Sequence, residues 1–206
     1  MKKTSDASTI KKDKNSAKHR TLSLKKLRRA MEKAQDGKRF EHTLGVEYTA
    51  AALAMRYGCD IKSARIAGLL HDCAKCLTDQ KRLAICEKNA IPVLSVEKRN
   101  PFLLHAKVGA YLAEEKYGVR DMDILNAIRW HTTGRRDMSL LEKIVFIADY
   151  IEPGRKSAPN LDKVRKLAFM DIDGVLIQIL GDTLRYLKDT GGEIDPMTEE
   201  TWRFYS

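Results

Sequence analysis

The chain has 206 residues, of which 43% are hydrophobic and 32% charged, enough for one well-filled core or at most two small ones. No apolar run approaches the ~20 residues a membrane helix needs, and no apolar segment follows the basic start Met1-Lys2-Lys3, so the expectation is a cytoplasmic protein with no membrane contact. The formal charge of +10 sits wholly at one end: residues 1–39 hold 14 Lys/Arg against 4 Asp/Glu, and the remaining 24 basic and 24 acidic residues cancel, so the body needs no polyanionic partner.

Residues 1–20 are rich in Lys, Ser, Thr, Asp and Asn and nearly devoid of apolar side chains. They read as a disordered basic N-terminal tail, because so polar a segment cannot offset its chain entropy by burial. The simplest role is a solvated extension; nucleic-acid contact through residues 1–20 is the less favoured alternative. From Thr21 the pattern turns helical and defines one domain over 21–206. Leu24, Leu27 and Met31 recur at helical spacing after a possible Ser23 cap. A helix over 40–57 follows, with Leu44, Tyr48, Ala51 and Met55 on one stripe and Gly58 as its stop. Asp60 can cap Ile61–Leu70, and Thr78 or Asp79 can cap a helix carrying Leu83 and Cys86. A looser stretch around Ile91-Pro92 and Asn100-Pro101 leads to a helix over 102–117. Helices over 123–130, 140–151, 161–170 and 172–187 complete the body, with breaks at Pro153 and Gly191-Gly192. Alternating runs are scarce. The predicted fold is all-α, a bundle of about eight or nine helices.

Four cysteines, Cys59, Cys73, Cys76 and Cys86, read as reduced thiols. Cys73 and Cys76 form a C-x-x-C, but with no second such pair and no strand–helix redox pattern they read as small packing residues.

The chemistry lies elsewhere. His71-Asp72 follows Ala67-Gly68-Leu69-Leu70, and an imidazole beside a carboxylate at the end of an apolar helix is costly to bury unless something pairs with both. His42, His105 and His131 also lie at or near helix ends beside apolar residues. Asp149 closes the apolar run Ile144-Val145-Phe146-Ile147-Ala148. Taken singly, each has a structural explanation: a lone histidine on an apolar face is more often a satisfied core residue, and Asp149 can pair with Arg129 or Lys143. Together they use four of the five histidines in the chain. Imidazoles with carboxylates favour Fe, Mn, Co, Ni or Zn. Six donors are too many for one closed tetrahedral site and suit two metal ions sharing a bridging carboxylate.

The order His42, His71-Asp72, His105, His131, Asp149 resembles the signature of HD-domain phosphohydrolases. Four longer blocks narrow it: Arg39-Phe40-Glu41-His42-Thr43-Leu44-Gly45-Val46, His71-Asp72-Cys73-Ala74-Lys75, His131-Thr132-Thr133-Gly134-Arg135, and Ala148-Asp149-Tyr150-Ile151-Glu152-Pro153-Gly154-Arg155. Over residues 24–206 these resemble the bacterial YqeK family of symmetrical diadenosine tetraphosphate hydrolases. Lys107 departs from that family, which tends to carry Pro there.

The resemblance implies an enzyme of the bis(5'-nucleosyl)-tetraphosphatase (symmetrical) kind, with a di-iron centre; manganese or zinc also suits the donors. It implies one ion on His42, His71, Asp72 and Asp149 and a second on His105 and His131, with Asp72 bridging. A metal-bridging hydroxide would cleave a dinucleoside polyphosphate, giving two ADP from diadenosine tetraphosphate. Lys75, one helical turn from His71, and Arg135 and Arg155 are expected to bind substrate phosphates and offset charge in the reaction. Glu152 either orients a metal-bound water or pairs with Arg155, and the Pro153-Gly154 bend favours the pair. The alternatives are another HD-domain nucleotidase or cyclic-nucleotide phosphodiesterase, or a non-catalytic nucleotide- or RNA-binding module. The sequence carries no signal for an oligomeric state.

Overall fold

The computed structural model describes residues 23–206; the expected tail at 1–20 lies outside the described residues. The described residues form eleven α-helices and no strand. In chain order these are α1 (Leu24–Ala34), α2 (Gly37–Tyr57), α3 (Ile61–Leu70), α4 (Asp79–Lys88), α5 (Ser95–Arg99), α6 (His105–Glu115), α7 (Met122–Trp130), α8 (Leu140–Ile151), α9 (Leu161–Leu167), α10 (Ile172–Asp189) and α11 (Pro196–Tyr205). None of them is long and apolar enough to cross a membrane.

Helix starts follow their caps. Asp36, Asp60 and Thr78 accept from the backbone N–H three residues on, at 2.9, 2.7 and 3.3 Å, satisfying donors that the first turn leaves open. Ser139 and Glu142 form a reciprocal capping box at the start of α8. The Asp36 cap starts α2 at Gly37, three residues before the hydrophobic periodicity begins, and so brings Arg39 into the first turn.

Two helices were not expected. The first, α5, is only five residues long and too short to show a period. The second, α11, has Asp195 as its cap and Pro196 at its first position, but lies so near the chain end that its pattern spans only ten residues. The expected helix over 102–117 is also divided: Pro101–Leu104 forms a tight 3-10 turn, and the α-helix proper begins at His105. Lys107, which replaces the family's Pro, leaves that start in place and donates to the Glu97 carboxylate at 2.7 Å and to the Pro92 carbonyl at 3.2 Å.

The centre of the bundle is α2, α3, α7 and α8, packed on one another, with α1 against α3 and α10 against α8. Leu53, Leu69, Leu70, Ile128, Ile144 and Ile147 are fully buried there. Each such side chain contributes about 1.5–3 kcal/mol through removal from water. Five of the six chemistry-bearing residues lie at the ends of α3, α6, α7 and α8 or immediately beyond them, so this packing fixes their separations.

One polar group is built into the core. Glu47 on α2 is fully buried and accepts from Arg28 of α1 at 2.8 and 2.9 Å and from Arg65 of α3 at 3.0 and 2.9 Å. The carboxylate thus ties three helices through charge-assisted bonds. Replacing Glu47 with Ala should destabilise the protein by about 2–3 kcal/mol in urea unfolding, because two guanidinium groups lose a desolvated partner. A change below about 0.5 kcal/mol would show that water replaces the carboxylate at no cost.

Candidate metal centre

Three of the four histidines are held by the same local device. His71 and His131 cap the C-termini of α3 and α7, and His105 follows the 3-10 turn. Each donates Nδ1–H to a carbonyl three residues back: Gly68 at 2.6 Å, Ile128 at 2.7 Å and Phe102 at 2.7 Å. Carbonyls at a helix end lack an intrahelical partner, so an imidazole placed there satisfies one. His42, in the second turn of α2, instead pairs through Nδ1 with Glu152 Oε1 at 3.1 Å. With Nδ1–H engaged, every ring turns the lone pair of Nε2 inward.

Those lone pairs meet. His42 and His71 Nε2 lie 3.3 Å apart, and His105 and His131 Nε2 lie 3.2 Å apart. Two acceptor nitrogens at that distance, each already donating elsewhere, repel unless a cation lies with them. Asp72 sits between the two pairs and is 2% exposed. Its Oδ2 is 3.5 Å from His71 Nε2 and 3.9 Å from His42 Nε2. Its Oδ1 is 3.3 Å from His105 Nε2 and 3.6 Å from His131 Nε2, and is buried without a hydrogen-bond partner. Asp149 Oδ1 completes the first set, 3.1 Å from His42 and 3.9 Å from His71. An orphaned buried carboxylate oxygen among four inward imidazoles is a poor arrangement for protein alone and a good one for metal ions. The donor atoms of His42, His71 and Asp72, of Asp72, His105 and His131, and of His71, His131 and Asp149 each lie within 4.8 Å of one another. The six residues therefore fit a group of metal ions.

The electrostatics keep Asp72, Asp149 and His105 in ligand form and favour a proton on His42. Burial favours a neutral Asp72, but His71 and His131 with Lys75 outweigh it and hold the carboxyl well below its usual range. Asp149 behaves likewise: burial is overcome by His42, His71 and His131. Burial, Lys75 and His131 push His105 down to about 3, so its ring stays neutral at physiological pH. For His42, burial is outweighed by Asp149, Glu152 and Asp72, which raise it.

The other expected site residues divide. Lys75 is at the centre, its Nζ 3.1 Å from His105 Nε2 and 3.9 Å from Asp72 Oδ1. Burial lowers its pKa, and Arg39 and Arg82 reinforce that against Asp72 and Asp149. Arg155 contacts Asp149, through Nη2 to Oδ1 at 2.9 Å and through Nε and Nη2 to the carbonyl. The favoured Glu152–Arg155 ion pair does not form. The Pro153-Gly154 turn is closed by Gly154 N–H to Glu152 Oε2 and Arg155 N–H to the Glu152 carbonyl, which points Glu152 back onto His42 and sends Arg155 to Asp149. Glu152 thus contacts His42 and none of the other five donors. Arg135 contacts none of the six donors. Its Nε and Nη2 close on the buried Glu142, both at 2.8 Å, and Nη1 donates to the Arg136 carbonyl. Neither neighbour expected for Asp149 pairs with it; Lys143 binds Asp173 instead.

Arg39, at the start of the His42 motif, also reaches the centre. Its Nη1 donates to Asp72 Oδ2 at 2.8 Å. The signal was available, since Arg39 lies three residues before His42 on one helix and therefore on the same face. Gln35, which donates to the Asp72 carbonyl at 3.2 Å, carries no such signal, because it lies beyond the end of α1.

A protein-family model described as HD domain matches residues 39–154. A protein of Bacillus subtilis (strain 168) named symmetrical bis(5'-nucleosyl)-tetraphosphatase is 44% identical over 166 residues, covering 81% of this chain and 88% of that protein. A Halalkalibacterium halodurans protein of the same name is 42% identical over 164 residues, covering 80% and 87%. A crystal structure from Clostridium acetobutylicum, described as a predicted HD superfamily hydrolase involved in NAD metabolism, superposes with a TM-score of 0.86 at 42% identity, over 90% of this chain and 97% of that one. The chain belongs to the HD-domain family and, within it, to the group of these bacterial symmetrical tetraphosphatases.

Two variants probe the centre. Asp72→Ala should remove both metal and activity, read by elemental analysis of purified protein; full metal content would contradict its place between the two donor sets. Gly45→Ala probes the support of His42, because a Cβ at Gly45 would collide with Glu152 Oε2. It should lower metal affinity or turnover by about 10–100-fold with helix content unchanged in circular dichroism. Unaltered metal binding and turnover would show that Glu152 is not needed to orient His42.

Proposed function

We propose that the protein hydrolyses diadenosine tetraphosphate, and related dinucleoside polyphosphates, symmetrically, giving two ADP from the tetraphosphate. The observation that carries this reading is the pair of donor sets about Asp72, in a chain 44% identical to a tetraphosphatase of that specificity. We assign His42, His71, Asp72 and Asp149 to one ion and His105, His131 and Asp72 to the other. Iron is the metal proposed, from the family resemblance, and manganese or zinc suits the same donors. When bound, two such ions acidify water toward neutrality and draw charge from phosphoryl oxygens. With no membrane-crossing helix among the described residues, we place the enzyme in the cytoplasm, and we assign residues 21–206 to a single domain.

The reaction balances as a displacement at one of the two inner phosphorus atoms. The oxygen of water bonds to that phosphorus, and the bond from it to the central bridging oxygen breaks. That oxygen leaves as the terminal oxygen of one ADP, and the phosphorus that was attacked becomes the terminal phosphoryl group of the other. Negative charge grows on the oxygens, so fixed cations beside them lower the barrier. Lys75 supplies one, next to His105 and Asp72. Arg39 binds Asp72 through Nη1 alone, leaving Nε and Nη2 for phosphate, and Arg155 keeps Nη1. With all three nitrogens of Arg135 engaged, we place the flanking phosphates on Arg39 and Arg155 and give Arg135 the role of bracing the segment after His131.

Purified protein supplied with iron or manganese should convert diadenosine tetraphosphate to ADP alone, resolved by chromatography. AMP plus ATP would overturn the symmetrical reading. Lys75→Met should lower turnover by about 100-fold while metal content is retained, whereas wild-type turnover would remove Lys75 from the reaction.

A further inference from the structure

The positive charge at the start of the chain continues into described structure. On α1, Leu27 and Met31 face the core, and Lys25, Lys26, Arg29 and Lys33 lie exposed on the other side. Among the described residues none of these four has an ion-pair or hydrogen-bond partner from its side chain, in contrast to Arg28, which binds Glu47. Lys25, Arg29 and Lys33 are spaced four apart, where like charges repel. Lys25 and Lys26 also occupy the first turn, which has no acidic residue and where the helix dipole disfavours cations. The first turn of the stripe is thus held against both local preferences, while Lys33, in the last turn, is favoured by the dipole.

Beside the stripe lies an open hollow of about 590 Å³, lined by Lys25 and Arg29 with Glu32, Phe40, Leu44 and Tyr48. Tyr48 is 54% exposed and carries the Arg28 guanidinium over its ring at 5.0 Å. An exposed aromatic ring beside free cations suits a stacked base joined to phosphates. A membrane surface fits less well, because the apolar side chains of α1 point inward and the exposed face carries no apolar stripe.

We propose that α1 and the adjoining hollow form a docking surface for single-stranded RNA, separate from the metal centre. Lys25, Lys26, Arg29 and Lys33 contact backbone phosphates, and a base stacks on Tyr48. Glu32, the one carboxylate lining the hollow among the described residues, accepts from a ribose 2'-hydroxyl, a donor that DNA lacks. The partner is recognised by charge and stacking and not by sequence.

The test uses the full chain and a fluorescein-labelled mixed-sequence RNA oligonucleotide, with binding followed by anisotropy across a potassium chloride series. Wild type should bind at low salt, with affinity falling linearly on logarithmic axes. The variant Lys25→Gln/Arg29→Gln/Lys33→Gln should reduce the slope by about 2, three contacts at about 0.7 each. Tyr48→Leu should weaken binding about tenfold with the slope unchanged. Hydrolysis of diadenosine tetraphosphate should match wild type in both variants, and that dinucleotide should not displace the RNA. Failure to bind RNA at low salt, an unchanged slope in the triple variant, or displacement by the dinucleotide would overturn the surface. Equal affinity for the same sequence as DNA, or tighter binding to phosphatidylserine vesicles, would overturn the choice of RNA. None of these readouts depends on which phosphate bond the enzyme cuts.

Discussion

The structure turns on one buried carboxylate. Asp72 places Oδ2 toward His42 and His71 and Oδ1 toward His105 and His131, and no described group hydrogen-bonds to Oδ1. In a mainly aliphatic interior, such a group is tolerable only with strong positive charge beside it. Among the described residues Asp72 Oδ1 is the one buried carboxylate oxygen that finds no hydrogen-bond partner, beside only Gln35 Oε1 and Thr43 Oγ1. Departures of that kind concentrate at functional sites.

The supporting shell is simple in construction. The rings of His71, His105 and His131 all use backbone carbonyls three residues back, that of Phe102 shared with the His105 backbone N–H, so three rings are oriented with no dedicated side chain. His42 sits inside a helix, where every nearby carbonyl is taken, and it alone needs a carboxylate, Glu152. That requirement reaches outward. Glu152 needs the tight turn at Pro153-Gly154 and the space left by Gly45, and Arg155, released from Glu152, steadies Asp149. A similar support lies behind His131. Gly134 has φ +65° and leaves the space that the Thr201 methyl of α11 occupies, 2.6 Å from where a Cβ would stand, while the Tyr205 hydroxyl accepts from Met138 N–H at 2.6 Å. The last helix thus packs on the segment that carries His131.

The helices and the six donors were legible in the sequence because both depend on local signals. Caps at Asp60 and Thr78, and histidines beside apolar runs, can be read residue by residue. What was not legible is the choice among partners. Glu152 and Arg155 are three apart and of opposite charge, so pairing is the natural expectation; the turn between them uses Glu152 for its own hydrogen bond and leaves its other oxygen to His42, 110 positions earlier. Arg135 is expected on phosphate, but Glu142, seven residues on and already capping α8, takes its guanidinium. The short α5 shows no periodicity, and its anchoring by Lys107 to Glu97 is a contact that no local pattern announces.

The division of Asp72 between two donor sets is most directly tested by anomalous diffraction from crystals of the metal-loaded protein. Two peaks are predicted, about 3.5–4 Å apart, one beside His42, His71 and Asp149 and the other beside His105 and His131, with one Asp72 oxygen on each. A single peak, or two peaks with Asp72 bound to only one, would contradict it.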